Sequence, residues 1–273
     1  MKEVLEKYVC YLMEEEKALS TVEKYRKAVL DFLSFTGGEL RKQQVIGYKQ
    51  HLLEVYRLAT VNTILAALNS FFCFIGRSDL RVKRVKVQKQ MFRDEKKELT
   101  KKEYLRLIET ARLQGDERLM LIMQTLCATG IRISELKWVT RESLNSRQAK
   151  VFNKGKYRTV ILSAELCKKL KKYCRRRKIS SGPVFVTRGG KPVNRSNIWC
   201  SMKKLCEAAE VEAEKVFPHN LRHLFARTFY ELKKDLTRLA DILGHSSIET
   251  TRIYTMTKLE SVEGEINRLR LVV

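Results

Sequence analysis

The sequence predicts a mainly α-helical protein of two domains: a small four-helix N-terminal domain and a larger, mostly helical α+β domain with a small antiparallel sheet. Three observations predict this fold class. Apolar residues recur every three to four positions along most of the 273 residues, and only three prolines interrupt them. A single pair of short β-like runs lies among the helical segments. The length also suits about two domains of ~150 residues each.

The first domain is predicted over residues 1–80, where four apolar stripes have helical spacing. The stripes lie at 4–12, at 22–33, from the forties to the mid-fifties, and at 61–75. The second helix is expected to open at a capping box, because Ser20 is followed three residues later by Glu23. Glycines at 37, 38 and 76 are expected to end the second and fourth helices.

A basic segment at 81–97 is predicted to be an extended linker. Its charges alternate with apolar residues without a helical period, and no acid occurs from Leu80 to Arg93. Such a run is usually a solvated surface, yet a chain lying along a phosphate backbone needs the same composition. The candidate phosphate-binding residues of this segment are Arg81, Lys83, Arg84, Lys86 and Lys89.

The second domain is predicted over residues 98–273 and opens at a capping box from Thr100 to Glu103. Helices are expected at 101–113 and 117–129, the latter ending at Gly130. Two β-like runs, 149–153 and 158–162, flank a turn at 154–157 and predict a hairpin. A strongly basic helix follows, with Leu166, Leu170, Tyr173 and Cys174 on its inner face, and another apolar stripe runs from Ile198 to Ala209.

The charge balance indicates a polyanionic partner. Lys and Arg total 55 against 31 Asp and Glu, a formal net charge of +24, which favours nucleic acid or an anionic membrane surface. No apolar run reaches the ~18 residues of a membrane span, and the N-terminus does not look like a signal peptide. The seven cysteines contain no Cys-x-x-Cys pair and are expected to be reduced, mostly in the core. A cytoplasmic protein is therefore expected, and because no strongly amphipathic terminal anchor exists, no membrane partner is expected.

The segment from Pro218 to Tyr254 carries most of the chemical information. Pro218 suits the first turn of a helix, and on that helix His219 and Arg222 project from the same face. A second helix is expected from Asp235 to Leu243, ending at Gly244. His245 then lies in a turn, before a third capping box at 246–249 that opens the helix bearing Tyr254.

A separate arginine, Arg132, lies in the run Ala-Thr-Gly-Ile-Arg-Ile-Ser-Glu-Leu. It follows a glycine that ends one helix, and Glu135, three residues on, is expected to hold its guanidinium. Taken alone, Arg132 is more often an ordinary surface arginine.

Together these segments resemble the tyrosine recombinase (phage integrase) family, in its Xer-like form. The family has an arginine in A-T-G-x-R-x-S-E-L, a lysine in a β-hairpin, a P-H-x-L-R-H box, an L-G-H-S motif, and a tyrosine nine residues after that last histidine. The counterparts here are Arg132, Lys154, His219, Arg222, His245 and Tyr254, all in order. The resemblance extends to LSTVEKYRKAVLDFLSF and TVNTILAALNSFFCFIG in the first domain, and so covers nearly the whole chain.

The resemblance implies a SAM-like core-binding domain and a tyrosine-recombinase catalytic domain that close around duplex DNA as a C-shaped clamp. It implies a site-specific recombinase acting as a homotetramer on paired recombination sites, alone or with a second recombinase. The task would be integration or excision of a mobile element, or resolution of chromosome or plasmid dimers. The absence of an arm-binding domain before the core-binding helices favours a simple, Xer-like machine. A C-terminal apolar stripe (Val262, Ile266, Leu269, Leu271) is expected to dock on a neighbouring protomer or on its own domain.

The residue types suit phosphoryl transfer on DNA. Arginine forks match phosphate oxygens and stay charged, and a tyrosine can attack phosphorus to give a 3′-phosphotyrosyl intermediate. Because the reference pKa of tyrosine is near 10, Tyr254 needs a base, for which His219 is suited. Lys154 is expected to protonate the departing 5′-hydroxyl, with Lys156 as its competitor, and His245 to donate to a phosphate oxygen. Lys156 and Arg158 are further candidate DNA-binding residues. Neither a metal nor another cofactor is expected.

Several alternatives stay open. Residues 235–254 also resemble a helix-turn-helix reader, which favours a non-catalytic DNA-binding regulator, and a type IB topoisomerase shares the chemistry. Tyr254 can be a plain core residue, and His219, His223 and His245 can be zinc ligands, although Arg222 would repel a dication. Two positions depart from the family pattern: Asn220 replaces a frequent Asp, and Lys233-Lys234 replaces a common Asn-Gly turn.

Overall fold

The computed structural model describes residues 2–86, 97–153, 155–245, 247–254 and 268, without the side chains of residues 2, 153 and 156. The chain divides into two compact units, Met1–Lys89 and Gln90–Val273. Within the described residues, no helix combines the length and apolar character needed to cross a membrane. The predicted class, mainly helical with a small antiparallel sheet, is confirmed.

The first unit is built from four helices: α1 (Lys2–Glu14), α2 (Leu19–Phe35), α3 (Lys42–Val55) and α4 (Leu58–Phe74). Their apolar faces meet in one core, where Tyr8, Phe32 and Phe72 are fully buried. The capping box expected at Ser20 is wrong. The backbone enters α2 at Leu19 after Ala18, so Ser20 lies inside the helix and caps nothing.

Residues 81–86 form no helix or strand and pack against α4. Two asparagines on α4 each bond to the backbone of one residue of this segment, Asn69 to Val82 and Asn62 to Val85. In each pair the side-chain amide nitrogen donates to the backbone carbonyl and the side-chain oxygen accepts from the backbone N–H, over 2.8 to 3.0 Å. Val82 and Val85 also pack on the core of the first unit. The intervening basic side chains consequently point to solvent.

The second unit carries eight α-helices and the hairpin within its described residues. The bounds are α5 (Lys101–Leu113), α6 (Glu117–Thr129), α7 (Ser143–Ser146), β1 (Gln148–Asn153), β2 (Lys156–Ile161), α8 (Ala164–Arg176), α9 (Arg195–Lys204), α10 (Pro218–Lys233), α11 (Leu236–Leu243) and α12 (Ile248–Thr251). A short 3-10 helix spans Ile133–Trp138, and another ends the region at Arg252–Tyr254.

Local signals set several boundaries of the second unit. Both halves of the capping box between Thr100 and Glu103 form, as predicted. Pro218 occupies the first turn of α10, and Gly130 and Gly244 end α6 and α11 in the left-handed conformation.

Three local expectations need correction. Ser247, rather than Ser246, is the N-cap of α12. Helix α9 ends at Lys204, so Leu205, Cys206 and Ala209 lie beyond it but stay buried. Tyr254 lies in the 3-10 helix Arg252–Tyr254 that follows α12, rather than on α12 itself. As expected, most of the cysteines lie in or against a core, whereas those at 10, 73 and 200 are exposed.

The hairpin is longer and its turn is tighter than expected. Asn153 pairs with Lys156, which leaves a two-residue turn and places Tyr157 inside β2. Gly155 has φ +73°, the left-handed backbone that such a turn needs.

Helix α10 holds the start of the second unit in place. It packs on α6, and its Asn220 amide nitrogen donates to the carbonyls of Lys97 and Lys215, both over 2.8 Å. Two turns further along, the buried Arg227 pairs with Glu98 and donates to the Leu99 carbonyl over 2.6 Å. The helix that carries His219 and Arg222 is therefore held both by its packing on α6 and by its bonds to residues 97–99.

Candidate active site

Arg222 lies at the centre of the site, with its side chain 1% exposed. Its Nη1 donates to the Gly130 carbonyl over 2.5 Å, and its Nη2 donates to the Leu243 carbonyl over 2.7 Å. Those carbonyls belong to the ends of α6 and α11, where the last carbonyls have no partner within the helix. Burial, with the nearby charges of Arg132 and Arg158, lowers the pKa of Arg222 to about 10, so it remains a cation at pH 7.

His245 follows Gly244 in the turn between α11 and α12. Its Nε2 lies 2.9 Å from Nη2 of Arg222, and its Nδ1 lies 2.8 Å from the hydroxyl of Thr251, which is fully buried. Burial and the charges of Arg222, Arg132 and Arg158 lower the pKa of His245 to about 4. The imidazole is consequently neutral at pH 7.

Tyr254 is 7% exposed and shares a small core with Ala226 of α10 and with Leu239 and Leu243 of α11. Its ring meets His223 edge-on at 5.1 Å between centroids and stacks with His245 at 6.4 Å. Burial raises the pKa of Tyr254 above its ordinary value of 10, while the charge and hydrogen bonding of Arg222 and the charge of Arg132 oppose that rise. The residue is thus both packed in a small core and in contact with the buried arginine.

His219 lies in the first turn of α10, and its ring meets His223 at 4.4 Å between centroids. Partial burial and the charges of Arg222 and Arg132 lower the pKa of His219 below its ordinary value of 6.5. A neutral imidazole beside two arginines is a proton acceptor at neutral pH.

Arg132 is held by Glu135, as the sequence predicted. Glu135 is 1% exposed; its Oε1 accepts from Nη1 of Arg132 over 2.9 Å, and its Oε2 accepts from the Arg132 backbone amide over 3.0 Å. Arg158 adds a second cation, because its Nη2 donates to Glu135 Oε2 over 2.6 Å. A buried carboxylate needs such pairing to offset its desolvation.

Comparison with known proteins fits this arrangement. The profile described as the phage integrase family matches residues 97–260. The chain belongs to the phage integrase family, the tyrosine-type site-specific recombinases. It is 29% identical to tyrosine recombinase XerA of Pyrococcus furiosus, across 99% of this chain and 95% of that protein. It is 30% identical to XerD of Staphylococcus saprophyticus, across 93% of this chain and 94% of that protein.

A solved structure extends the likeness to the fold. The XerH site-specific recombinase bound to its difH substrate, in a pre-cleavage complex, is similar with a TM-score of 0.72 and 20% identity. The match covers 96% of this chain and 84% of that one. The fold of this recombinase is therefore that of the integrases.

The structure brings five of the predicted catalytic residues into one site, although they come from four separate segments. These residues are Arg132, His219, Arg222, His245 and Tyr254. Lys154 lies outside the described residues, as do Lys89, the side chain of Lys156 and the C-terminal stripe at 262–271. Of the other predicted DNA-binding residues, Arg81, Lys83, Arg84 and Lys86 are exposed, whereas the Arg158 side chain is only 13% exposed and bonded within the protein.

The zinc alternative finds no support in the geometry. Across the ranges that the structure describes, no group of three His, Cys, Asp or Glu side chains is placed to hold a metal ion. Nη2 of Arg222 lies 2.9 Å from Nε2 of His245, so this ring nitrogen faces a cationic group.

Sequence reasoning missed the groups that orient the catalytic candidates. Thr251 holds the His245 ring, and the carbonyls of Gly130 and Leu243 hold Arg222. Backbone carbonyls carry no sequence signature. Arg158 did carry one: it lies two residues before Val160, and in an alternating strand that places it on the buried face.

Proposed function

We propose that this recombinase cuts and rejoins DNA strands at a specific site through a covalent 3′-phosphotyrosyl link to Tyr254. The observation that carries the proposal is the contact between Tyr254 and the buried Arg222. The same guanidinium also bonds to the neutral imidazole of His245. Arginine forks bind the non-bridging oxygens of a phosphodiester and stabilise the charge that they gain in the transition state.

In the proposed reaction, the Tyr254 oxygen attacks phosphorus and the bond from phosphorus to the 5′-oxygen breaks. The phenol proton passes to His219, whose lowered pKa keeps it neutral and ready to accept. Lys154 gives a proton to the departing 5′-oxygen. Since the ester to tyrosine retains the bond energy, the 5′-hydroxyl of a second strand can reverse the step without ATP.

Arg132, Arg222 and His245 would surround the phosphate. The hydrogen bonds that Arg222 now makes to two carbonyls and to His245 keep its guanidinium in place before DNA binds. A bound phosphate, being an anion, is a stronger acceptor than the imidazole and would replace it as the partner of Nη2.

The proposed partner is double-stranded DNA with a specific recombination site, bound by a homotetramer on paired sites, alone or with a second recombinase, in the cytoplasm. The exposed basic side chains at 81–86, with Lys89 and Lys156, would bind phosphates. Affinity should then fall steeply with salt, because each neutralised phosphate releases counterions. The task would be integration or excision of a mobile element, or dimer resolution.

The test is covalent capture on DNA of random sequence. Wild type and Tyr254→Phe are incubated in EDTA with a nicked, randomised duplex library, and protein-bound DNA is recovered after denaturation. We expect wild type alone to retain one enriched sequence through a 3′-phosphotyrosine. Adducts without sequence enrichment would indicate a topoisomerase-like activity, and enriched binding without adducts, with or without cell extract, would indicate a regulator.

A further inference from the structure

Arg158 occupies an unusual place for an arginine, on the buried face of the hairpin. It pairs across the hairpin with Val151, which is fully buried, and Val160, two residues on, is 3% exposed. A guanidinium in such a position loses hydration and is stable there only if its charge is paired. The contacts that it makes therefore indicate its purpose.

Two different nitrogens of Arg158 make two different contacts. Nη2 donates to Glu135 Oε2 over 2.6 Å, and Nη1 donates to the carbonyl of Ile242 over 2.7 Å. Glu135 is the carboxylate that holds Arg132. Ile242 is in the last turn of α11, three residues before His245. One side chain thus joins β2, the Arg132 segment and the turn that carries His245.

The backbone of that turn is shaped to receive the arginine. Gly244 has φ +63°, and a Cβ atom there would lie 2.3 Å from Cδ of Arg158. No residue with a side chain fits at this distance, so the Arg158 stem passes over the turn only because position 244 is a glycine.

We propose that Arg158 is a positioning residue: it orients Glu135, and through it Arg132, and it fixes the turn that carries His245. The effect of Arg158 on DNA cleavage rests on the proposed function, whereas its contacts with Glu135 and Ile242 are independent of that function. A lysine cannot replace it fully, since one ammonium on a flexible stem does not supply two donors in a fixed fork. Arg158 therefore differs in kind from the exposed arginines that bind phosphate.

The first test uses the DNA-free protein. Arg158→Met keeps the apolar stem and removes both contacts, and Lys150→Met removes an exposed charge from the same hairpin. The amides of Gly244 and His245 close the end of α11 by bonding to the carbonyls of Asp241 and Ala240. We expect their hydrogen exchange to be at least tenfold faster in Arg158→Met and unchanged in Lys150→Met. Unchanged hydrogen exchange in both variants would overturn the proposal that Arg158 anchors this turn.

The second test uses the duplex enriched by covalent capture. At saturating DNA, Arg158→Met should lower the single-turnover cleavage rate at least tenfold, while its Kd stays within twofold of that of Lys150→Met. Arg158→Lys should recover part of the rate. A weaker Kd with an unchanged cleavage rate would make Arg158 a DNA-binding residue and overturn the proposal.

A double variant tests the link through Glu135. If Arg158 acts in part through this carboxylate, adding Arg158→Met to Glu135→Gln should slow cleavage by a smaller factor than adding it to wild type, because only the contact with the Ile242 carbonyl is left to lose. Multiplied defects would contradict that link. Thermal unfolding identifies any variant that is not folded at the assay temperature, in which case Arg158→Lys, which keeps the charge, takes the place of Arg158→Met. If wild type forms no adduct, the proposed function fails, and hydrogen exchange still decides whether Arg158 is the anchor.

Discussion

Nη2 of Arg222 donates to Nε2 of His245 over 2.9 Å, and this contact defines the protonation state of the imidazole. A guanidinium only donates, so Nε2 holds the lone pair and Nδ1 carries the hydrogen, which it donates to the Thr251 hydroxyl over 2.8 Å. His245 was expected from the sequence to donate to a phosphate oxygen. In this arrangement it accepts from Arg222, so it can donate through Nε2 only after Arg222 releases that nitrogen and the ring gains a proton there.

The hydrogen bond from His245 to Thr251 predicts the effect of Thr251→Val. Valine keeps the shape of the buried side chain but leaves the Nδ1 hydrogen without its acceptor, which costs roughly 1–3 kcal/mol of unfolding free energy. We also expect DNA cleavage to slow by about tenfold, because the ring loses its orientation. Urea unfolding and single-turnover cleavage check both effects. Thr250→Val, at the exposed neighbouring position, should change neither, and full cleavage by Thr251→Val would contradict the orienting role.

The lowered pKa of His245 predicts a loss of stability in acid. Its pKa is about 4 in the folded protein, against an ordinary value of 6.5. Between these values the unfolded chain binds more protons, so the contribution of His245 is complete above about pH 6.5 and is lost as the pH falls towards 4. Urea unfolding from pH 7.5 to 4 should show a shallower pH slope in His245→Gln than in wild type. His51→Gln, at an exposed position of the first unit, should retain the wild-type slope.

Gly130 is expected to tolerate no side chain. Its φ is +62°, and a Cβ atom would lie 2.5 Å from Cδ1 of Phe225 and 2.9 Å from Cδ2 of Leu243. Gly130→Ala should therefore lower the free energy of unfolding by about 1–2 kcal/mol through left-handed backbone strain. Overpacking against Phe225 and Leu243 should lower it by a further ~1–3 kcal/mol. Gly115→Ala is the matched control, since Gly115 has φ +72° and open space around it. Equal losses in the two variants by thermal unfolding would show that the close packing at Gly130 is unimportant.

Asn220 should not be replaceable by the aspartate that the family often has there. Its amide nitrogen donates to two carbonyls, and a carboxylate would instead face both oxygens with no hydrogen to offer. We expect Asn220→Asp to lose roughly 1–3 kcal/mol or more of unfolding free energy at pH 7. Asn194→Asp should be near neutral, because Asn194 caps α9 through its oxygen and aspartate caps equally well. An Asn220→Asp protein as stable as wild type would refute the assigned contacts.

Lys234 is expected to be a site where glycine stabilises the protein. It ends α10 with φ +52°, the left-handed conformation that glycine adopts without strain. Lys234→Gly should raise the free energy of unfolding by about 1 kcal/mol, because the left-handed strain is removed. Loss of the cation–π contact between the Lys234 ammonium and the Tyr230 ring, 5.4 Å apart, should offset part of this gain. Lys233→Gly, at the last residue of the helix, should lose up to ~0.5–1 kcal/mol of unfolding free energy. Thermal unfolding of both variants should thus show shifts of opposite sign, and a fall in both would contradict the strain at Lys234.

Sequence alone determined the helices and the residue types of the site, because those signals are local. The capping box at Thr100 and the glycines at 130 and 244 act on atoms within a few positions, and they ended or opened helices as predicted. The boxes at Ser20 and Ser246 were wrong because a cap depends on where the backbone leaves its extended conformation, which packing can shift by a residue or two. The pairing of Glu135 with Arg132 was predictable for the same local reason.

Only the tertiary structure decided which atoms each of these side chains meets. Arg158 binds a carboxylate 23 residues before it and a carbonyl 84 residues after it, and Arg222 binds a carbonyl 92 residues away. Such pairings depend on how helices and strands pack, and no short-range pattern encodes them. The sequence therefore predicted the residue types of the candidate site, whereas the fold determined that His245 is neutral, that Tyr254 is buried against Arg222, and that Arg158 points inward.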